Sequence, residues 1–363
     1  METNTRDRIM WKIVHLEPVV SGCPNRCRHC YDEGGPPYGA LMSFDDAKWA
    51  VGQFERVCQD TLERRPQFRL NVDTFEPSAH PDFVRLREFE LSFIPKSRLR
   101  DYSNFNTNGY GLARLVDWKA AYQGLMSIGM RELGFAIHGL EKEHDWFVRR
   151  RGAYKDIVVA AQRALECGMD LVFEIHINKR NIMSFSSIVD GLEKLGSGCA
   201  KIRSGVPAYF MNDRLRALEA IRPTKTDREK IAEVLLRVPG HGDSDTEASW
   251  TRHLVEKGKS ADLLTYEPEG KGPQQRRLGR LRIMPDFDVI EIFYSRPLIL
   301  HGNVKRDGIE RVWGNILDTE LSEMPEPDTL ARLYGDFASE LLYPRADSVY
   351  LKHCDKYWQE HQK

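Results

Sequence analysis

Six short segments rich in β-branched and aromatic residues alternate with longer amphipathic ones over the first two hundred or so residues. The strand-type segments are 12–20, 68–73, 101–107, 132–138, 170–177 and 200–206. Helical spacing of apolar residues fills 43–60, 81–91, 111–128, 153–167 and 184–195. Strand then helix, repeated, is the pattern of βα units, whose right-handed crossovers build a parallel sheet. About 200 residues hold six such units, too few for a closed eight-unit barrel. The pattern predicts an α/β fold whose body is an open, TIM-like partial (β/α)6 barrel.

Parallel strands are normally covered on both faces and read as apolar throughout. These do not. In 173–178, Phe173, Ile175 and Ile177 share one face, and Glu174, His176 and Asn178 share the other. Asn71 and Asp73 alternate with Leu70 and Val72; Asn104, Asn106 and Asn108 share a face; His15, Glu17, His138 and Arg203 fall on other strands. Polar residues on one face of nearly every strand predict a polar lumen that holds a hydrogen-bonding ligand, with chemistry at the C-terminal strand ends.

Beyond residue 206 the pattern loosens. Helical runs are expected at 212–220 and 226–237, and loops at 241–249 and 267–277. A β-hairpin turning at Pro285–Asp286, a helix near 307–318 and a charged C-terminal tail complete the chain. The expected division is a barrel domain over 1–240, a linker over 241–276 and a small hairpin-plus-helix subdomain over 277–363.

Of 363 residues, 41% are apolar and 29% charged, an ordinary globular composition. With 53 basic and 54 acidic residues, no net field draws the chain to nucleic acid or an anionic membrane. No signal peptide or membrane span is legible. Seven cysteines, an odd number in a chain this long, argue against a disulfide scaffold and for a reducing, cytoplasmic setting.

Three of those cysteines crowd into the loop SGCPNRCRHC, directly after the first strand segment. Cys23, Cys27 and Cys30 have the spacing C-x3-C-x2-C. Structural zinc wants four ligands, and no second C-x2-C pair exists to complete them. Iron–sulfur clusters normally take four cysteines. With three, one iron keeps an open coordination position.

This loop resembles the signature of the radical S-adenosylmethionine (radical SAM) enzymes, which place it after the first strand of a partial (β/α)6 barrel. The resemblance implies that Cys23, Cys27 and Cys30 bind one [4Fe–4S] cluster. It implies that S-adenosylmethionine (SAM) chelates the fourth iron and is cleaved to a 5′-deoxyadenosyl radical, which removes a hydrogen atom from substrate. An electron donor such as flavodoxin or ferredoxin follows from it. His29 stands where the family usually has an aromatic residue.

Further segments are similar. In DTFEPSAHPDF, Thr74, Phe75 and Glu76 precede Pro77 where the family has Gly-Gly-Glu-Pro, which implies contact with the SAM amino group. In GFAIHG, Ala136 replaces the serine that contacts the ribose, so Asn106, Asn108 or Asn178 is implied there. In HDWFVRRRGAY, Arg149 is the implied partner of the SAM carboxylate, with Arg150 and Arg151 as rivals. The region after 277 resembles a degenerate SPASM or twitch subdomain without auxiliary-cluster cysteines; only Cys354 lies downstream.

Glu174, His176, His138 and Arg203 are the candidate catalytic residues. A carboxylate and an imidazole two apart on one strand face suit an acid–base pair and equally suit a structural pair. The expected substrate is a small polar metabolite, such as a sugar, aminocyclitol or nucleoside-like molecule. The early start of the barrel, which leaves no room for a leader-binding domain, favours it. The alternative is a peptide side chain in a ribosomally made natural product.

Overall fold

The computed structural model describes residues 13–30, 39, 41–61, 67–72, 75–207, 217–238, 244–257, 280–292, 299–319, 327–335, 338–343 and 346–361. Six strands appear where the alternation places them: β1 (Ile13–Pro18), β2 (Gln67–Leu70), β3 (Asn104–Asn106), β4 (Glu132–Ile137), β5 (Asp170–His176) and β6 (Ala200–Gly205). β1 pairs with β2, and β3 to β6 pair in sequence order, all parallel. This is the open six-unit order. Among the described residues no ladder joins β2 to β3.

The helices α1 (Phe44–Thr61), α2 (Phe83–Leu91), α3 (Tyr110–Arg114), α4 (Trp118–Ser127), α5 (Glu141–Val148), α6 (Ala153–Glu166) and α7 (Phe185–Gly196) lie between and after the strands. Strand alternation decides what they cover. Phe173 and Ile175 of β5 are fully buried in one core with Phe185 and Ile188 of α7. Glu174 and His176 take the opposite face, as the period of two requires.

Two helical expectations needed correction. The run 111–128 is two helices, because Leu115 turns extended and Asp117 caps α4 by accepting from the Ala120 amide. α5 was not expected, since its apolar stripe is confined to its last turn. His144, Phe147 and Val148 are nevertheless buried.

Later in the chain come β7 (Asp245–Thr246), β8 (Arg280–Ile283), β9 (Asp288–Ile292), β10 (Ile299–Asn303) and β11 (Leu342–Tyr343). β8 and β9 form the expected hairpin around Pro285–Asp286. β8 also pairs parallel with the free edge of β1, giving one sheet in the order β10-β9-β8-β1-β2. The helix Ile309–Asp318 then buries Val312, Trp313 and Ile316 against Val51 and Phe54 of α1. The hairpin thus extends the barrel wall and shares its core.

Residues 241–249 were expected as a loop. Residues 245–246 pair with β11, and a helix Glu247–Lys257 follows. The charged tail is also a helix, Ala346–His361, with Val349, Tyr350, His353 and Cys354 buried on one stripe. These helices and Pro327–Tyr334 share a small third core. Of 212–220, the described part is helical at 217–218 and passes into a 3-10 turn, Glu219–Ile221; 226–237 resolves into Lys225–Glu229 and Ala232–Leu235. The loop 267–277 lies outside the described residues. Among the described residues no helix is long and apolar enough to cross a membrane.

Trp313 is 1% exposed and meets Phe54 edge-on at 6.4 Å. Truncating a buried aromatic costs about 3–5 kcal/mol. Trp313→Ala is expected to lower the denaturant midpoint of the whole barrel. Separate loss of a C-terminal transition, followed by circular dichroism and tryptophan fluorescence, would show that the two do not share a core.

Candidate functional site

The cysteine loop leaves β1 and is held from two sides. On one side the end of α5 receives it: the Arg26 amide donates to the Val148 carbonyl and the Arg28 amide to the Phe147 carbonyl, both at 3.0 Å. The Arg28 guanidinium lies 3.9 Å over the Trp146 ring. Arg150 Nε donates to Asn25 Oδ1, and its Nη1 to Asp156 Oδ2, both at 2.5 Å. On the other side Ser21 Oγ donates to the Glu76 carbonyl at 2.7 Å. Asn108 Nδ2 donates to Cys23 Sγ at 3.3 Å.

Glu76 makes this second side rigid. Its carboxylate is fully buried. Oε1 accepts from Thr107 Oγ1 at 2.6 Å, from the Ser78 amide at 3.2 Å and from the Ser78 hydroxyl. Oε2 accepts from the Asn108 amide at 2.6 Å. The residue therefore ties the mouth of β2 to the mouth of β3. Phe75 before it takes φ +70°, a region costly for a side chain with a Cβ. Thr74 lies outside the described residues.

Cys23, Cys27 and Cys30 form no disulfide and are half-buried. Burial pushes the Cys23 thiol up to about 12, with the Glu76 charge adding to it. Burial pushes Cys27 well above its ordinary value; Cys23 and Cys30 add, and Arg150 opposes. The thiols thus lie in one another's field. Without cations Cys23 and Cys27 stay protonated; a cationic iron centre would reverse that balance. Among the described residues, the side chains that gather round a single point are His29, His138 and His176 rather than the thiols. Separated sulfurs suit a multi-iron cluster, in which each thiolate takes its own iron. The residues present fit the group that the loop implies.

In the lumen, Glu174 of β5 lies directly across from Arg203 of β6 and from Ala136 of β4 in the strand register. His176 Nε2 lies 3.6 Å from Glu174 Oε1. His138 is buried, stacked 4.1 Å from Phe147 at 9°. Burial first, then the neighbouring imidazoles, hold His138 well below its ordinary pKa, so it is neutral.

The structure thus brings Glu174, His176, His138 and Arg203 to adjacent strands at one mouth. Asn106 is exposed at the end of β3 and accepts from Asn104 Nδ2. Gly134 is opposite, and a Cβ there would come within 2.2 Å of Asn106 Oδ1. Asn178 is engaged elsewhere: its Nδ2 donates to the His176 carbonyl at 3.0 Å, and its Oδ1 accepts from the Arg180 amide. Arg149 caps α5 in the left-handed region at φ +56° and is exposed. Arg150, its neighbour, is the arginine fixed to the cysteine loop.

Several functional partners escaped the sequence. Thr107 and Ser78 are silent until Glu76 is known to be buried. Glu17 pairs with Arg282 at 2.8 Å and Arg280 at 2.9 Å, a contact that spans 265 residues in the Arg282 case.

The sequence matches no family model and no curated protein. Several solved structures align with the chain. The structure titled native anSMEcpe with bound AdoMet aligns at TM-score 0.46 and 12% identity, over 96% of this chain and 97% of that one. Streptococcus suis SuiB bound to precursor peptide SuiA aligns at 0.44 and 12%, over 86% and 68%. Escherichia coli coproporphyrinogen III oxidase HemN, described as a radical SAM enzyme, aligns at 0.38 and 12%, over 96% and 91%. At scores below 0.5 these likenesses assign no residue a role.

His15 on β1 carries a pH signature. Burial, then Arg69 and Arg280, hold its pKa down to about 4. Its folded value lies below the unfolded one, so stability is full above about pH 6.5 and is lost as pH falls toward 4. His15→Gln is expected to flatten that fall by up to about 1.4 kcal/mol per pH unit. Urea midpoints at pH 7 and pH 5 measure it; parallel losses in both proteins would contradict the assignment.

Proposed function

We propose that this chain is a radical SAM enzyme acting on a small polar metabolite, sugar, aminocyclitol or nucleoside-like, in natural-product biosynthesis. The observation that carries it is the C-x3-C-x2-C loop, its three half-buried cysteines in one another's field and fixed at the mouth of a strand lumen faced with polar side chains. When bound, one [4Fe–4S] cluster with SAM supplies a 5′-deoxyadenosyl radical that abstracts a hydrogen atom, and leads to epimerisation, dehydrogenation, elimination or decarboxylation. A cytoplasmic flavodoxin or ferredoxin provides the electron.

The chain's residues position and protect. Cys23, Cys27 and Cys30 hold the cluster. The Asn108 amide keeps its hydrogen bond to the Cys23 sulfur, a contact of the kind that tunes cluster potentials. Glu76, through its buried bonds rather than by direct contact, fixes the chain at Phe75, which together with Thr74 would meet the SAM amino group. Asn106 and Asn108 face the ribose. Asn178 holds the strand ends that flank it. Arg149, exposed and near enough to Arg28 to add to the burial that lowers the Arg28 pKa, offers a planar fork to the SAM carboxylate. Glu174 moves a proton on the substrate, with His176 beside it and His138 behind them holding its place. Arg203 orients an anionic substrate group or Glu174 itself. No nucleic acid or membrane takes part.

Anaerobic reconstitution, reduction and mass spectrometry of 5′-deoxyadenosine test this. Formation is expected only with SAM and reductant, absent in Cys27→Ala and stimulated by a sugar or nucleoside pool. Stimulation by peptides alone would transfer the substrate to the peptide class. No 5′-deoxyadenosine from iron-loaded protein would end the proposal.

A second outcome concerns Glu174. A positioned general acid or base contributes about 10²–10⁴-fold. Glu174→Gln is expected to slow substrate turnover by at least about 100-fold, with iron content and substrate-free SAM cleavage unchanged. Equal loss of all three would give Glu174 a structural role.

A further inference from the structure

Beside the thiols three imidazoles from separate segments converge. His29 lies on the cysteine loop, His138 follows β4 and His176 ends β5. Their ring centroids form a nearly equilateral triangle, 4.7 Å from His29 to His138, 4.8 Å from His138 to His176 and 5.0 Å from His29 to His176. One ring nitrogen of each lies within 4.8 Å of the others. His138 is only 2% exposed. In all three rings Nδ1 is buried and has no hydrogen-bond partner. A single orphaned buried polar atom costs about 1–3 kcal/mol, and three in one cluster require a common reason.

The surroundings point to a ligand. Metal-bound histidines commonly give their second nitrogen to a carboxylate, which fixes the tautomer. His176 has that arrangement, its Nε2 toward Glu174 and its Nδ1 unpartnered. His138 is held from three directions. Its ring stacks on Phe147, its amide donates to His144 Nδ1 at 3.3 Å, and its carbonyl accepts from Asn181 Nδ2 at 3.0 Å. His29 is fixed through its neighbour, whose amide donates to the Phe147 carbonyl. The rings are therefore placed by the fold before any ion arrives.

We propose that His29, His138 and His176 form a three-histidine site for one divalent transition-metal ion, zinc foremost, separate from the thiol site. Imidazole suits zinc, copper, iron and nickel; three histidines with an open fourth position are the donor set of catalytic zinc. A tetrahedral ion at 2.0–2.1 Å sets ligand nitrogens about 3.4 Å apart. Modest ring rotations from the observed spacing reach that. The fourth position takes water or a substrate hydroxyl.

The test separates this site from the thiols. Full-length protein with Cys23→Ala, Cys27→Ala and Cys30→Ala is equilibrated with zinc sulfate, and bound zinc is counted by plasma mass spectrometry. In parallel, cobalt(II) is titrated and its visible spectrum recorded. About one zinc per chain is expected, with cobalt bands free of thiolate charge transfer. Outer partners alone are worth 10- to 100-fold in metal affinity, so removing a ligand should cost about 100-fold or more. His176→Ala and His29→Phe on the same background are each expected to show that loss with unchanged circular dichroism. Should the triple variant fail to fold, wild-type holoprotein decides: zinc is expected in addition to iron, and His176→Ala loses the zinc while keeping the iron. No zinc in the histidine-intact protein, or zinc that survives both histidine changes, overturns the site.

Discussion

A carboxylate buried without partners is among the least favourable groups a fold can contain. Glu76 is fully buried, and the mouth of this barrel is organised round the donors that make this tolerable. Thr107, Ser78 and the Asn108 amide converge on its two oxygens. Among the described residues no ladder joins β2 to β3, so at this break in the wall side chains take over from backbone pairing. Arg87 repeats the device lower down: it pairs with Glu90 at 2.7 Å and donates to the Tyr102 and Asn104 carbonyls. The cysteine loop inherits its position from the same clamp. Ser21 bonds the Glu76 carbonyl, and Asn108, held by the Glu76 carboxylate, reaches Cys23.

The opposite edge of the wall depends on the far end of the chain. β1 carries Glu17, and β8 supplies the arginines that neutralise it. The helix Ile309–Asp318 completes the core over α1. A hairpin remote in sequence is therefore part of what fixes the strand that launches the cysteine loop. The lumen between these two edges keeps its polar face because each strand spends its apolar face on helices.

Regular periodicity made the barrel legible. The strand segments were read within a few residues, because β-branched runs and a period of two leave little choice. Legibility ended where tertiary context decides. The Asp117 cap splits a helix that apolar spacing alone would continue. The helix Ala346–His361 hides a stripe of Val349, Tyr350 and Cys354 among charges. At the site, Asn178 reads as an available amide, yet its neighbours engage it. His29 reads as a substitution of one ring for another, and only the approach of β4 and β5 makes it the third corner of a triangle. Arg149 and Arg150 are indistinguishable in sequence; the geometry alone joins Arg150 to the loop.

The central claim is that three thiolates hold one cluster whose remaining iron is open to SAM. Electron paramagnetic resonance of the reconstituted, reduced protein tests it most directly. With about four irons per chain, the account predicts a reduced-cluster signal whose g-values shift when SAM is added and which disappears in Cys27→Ala. A spectrum indifferent to SAM, from protein with full iron content, would contradict it.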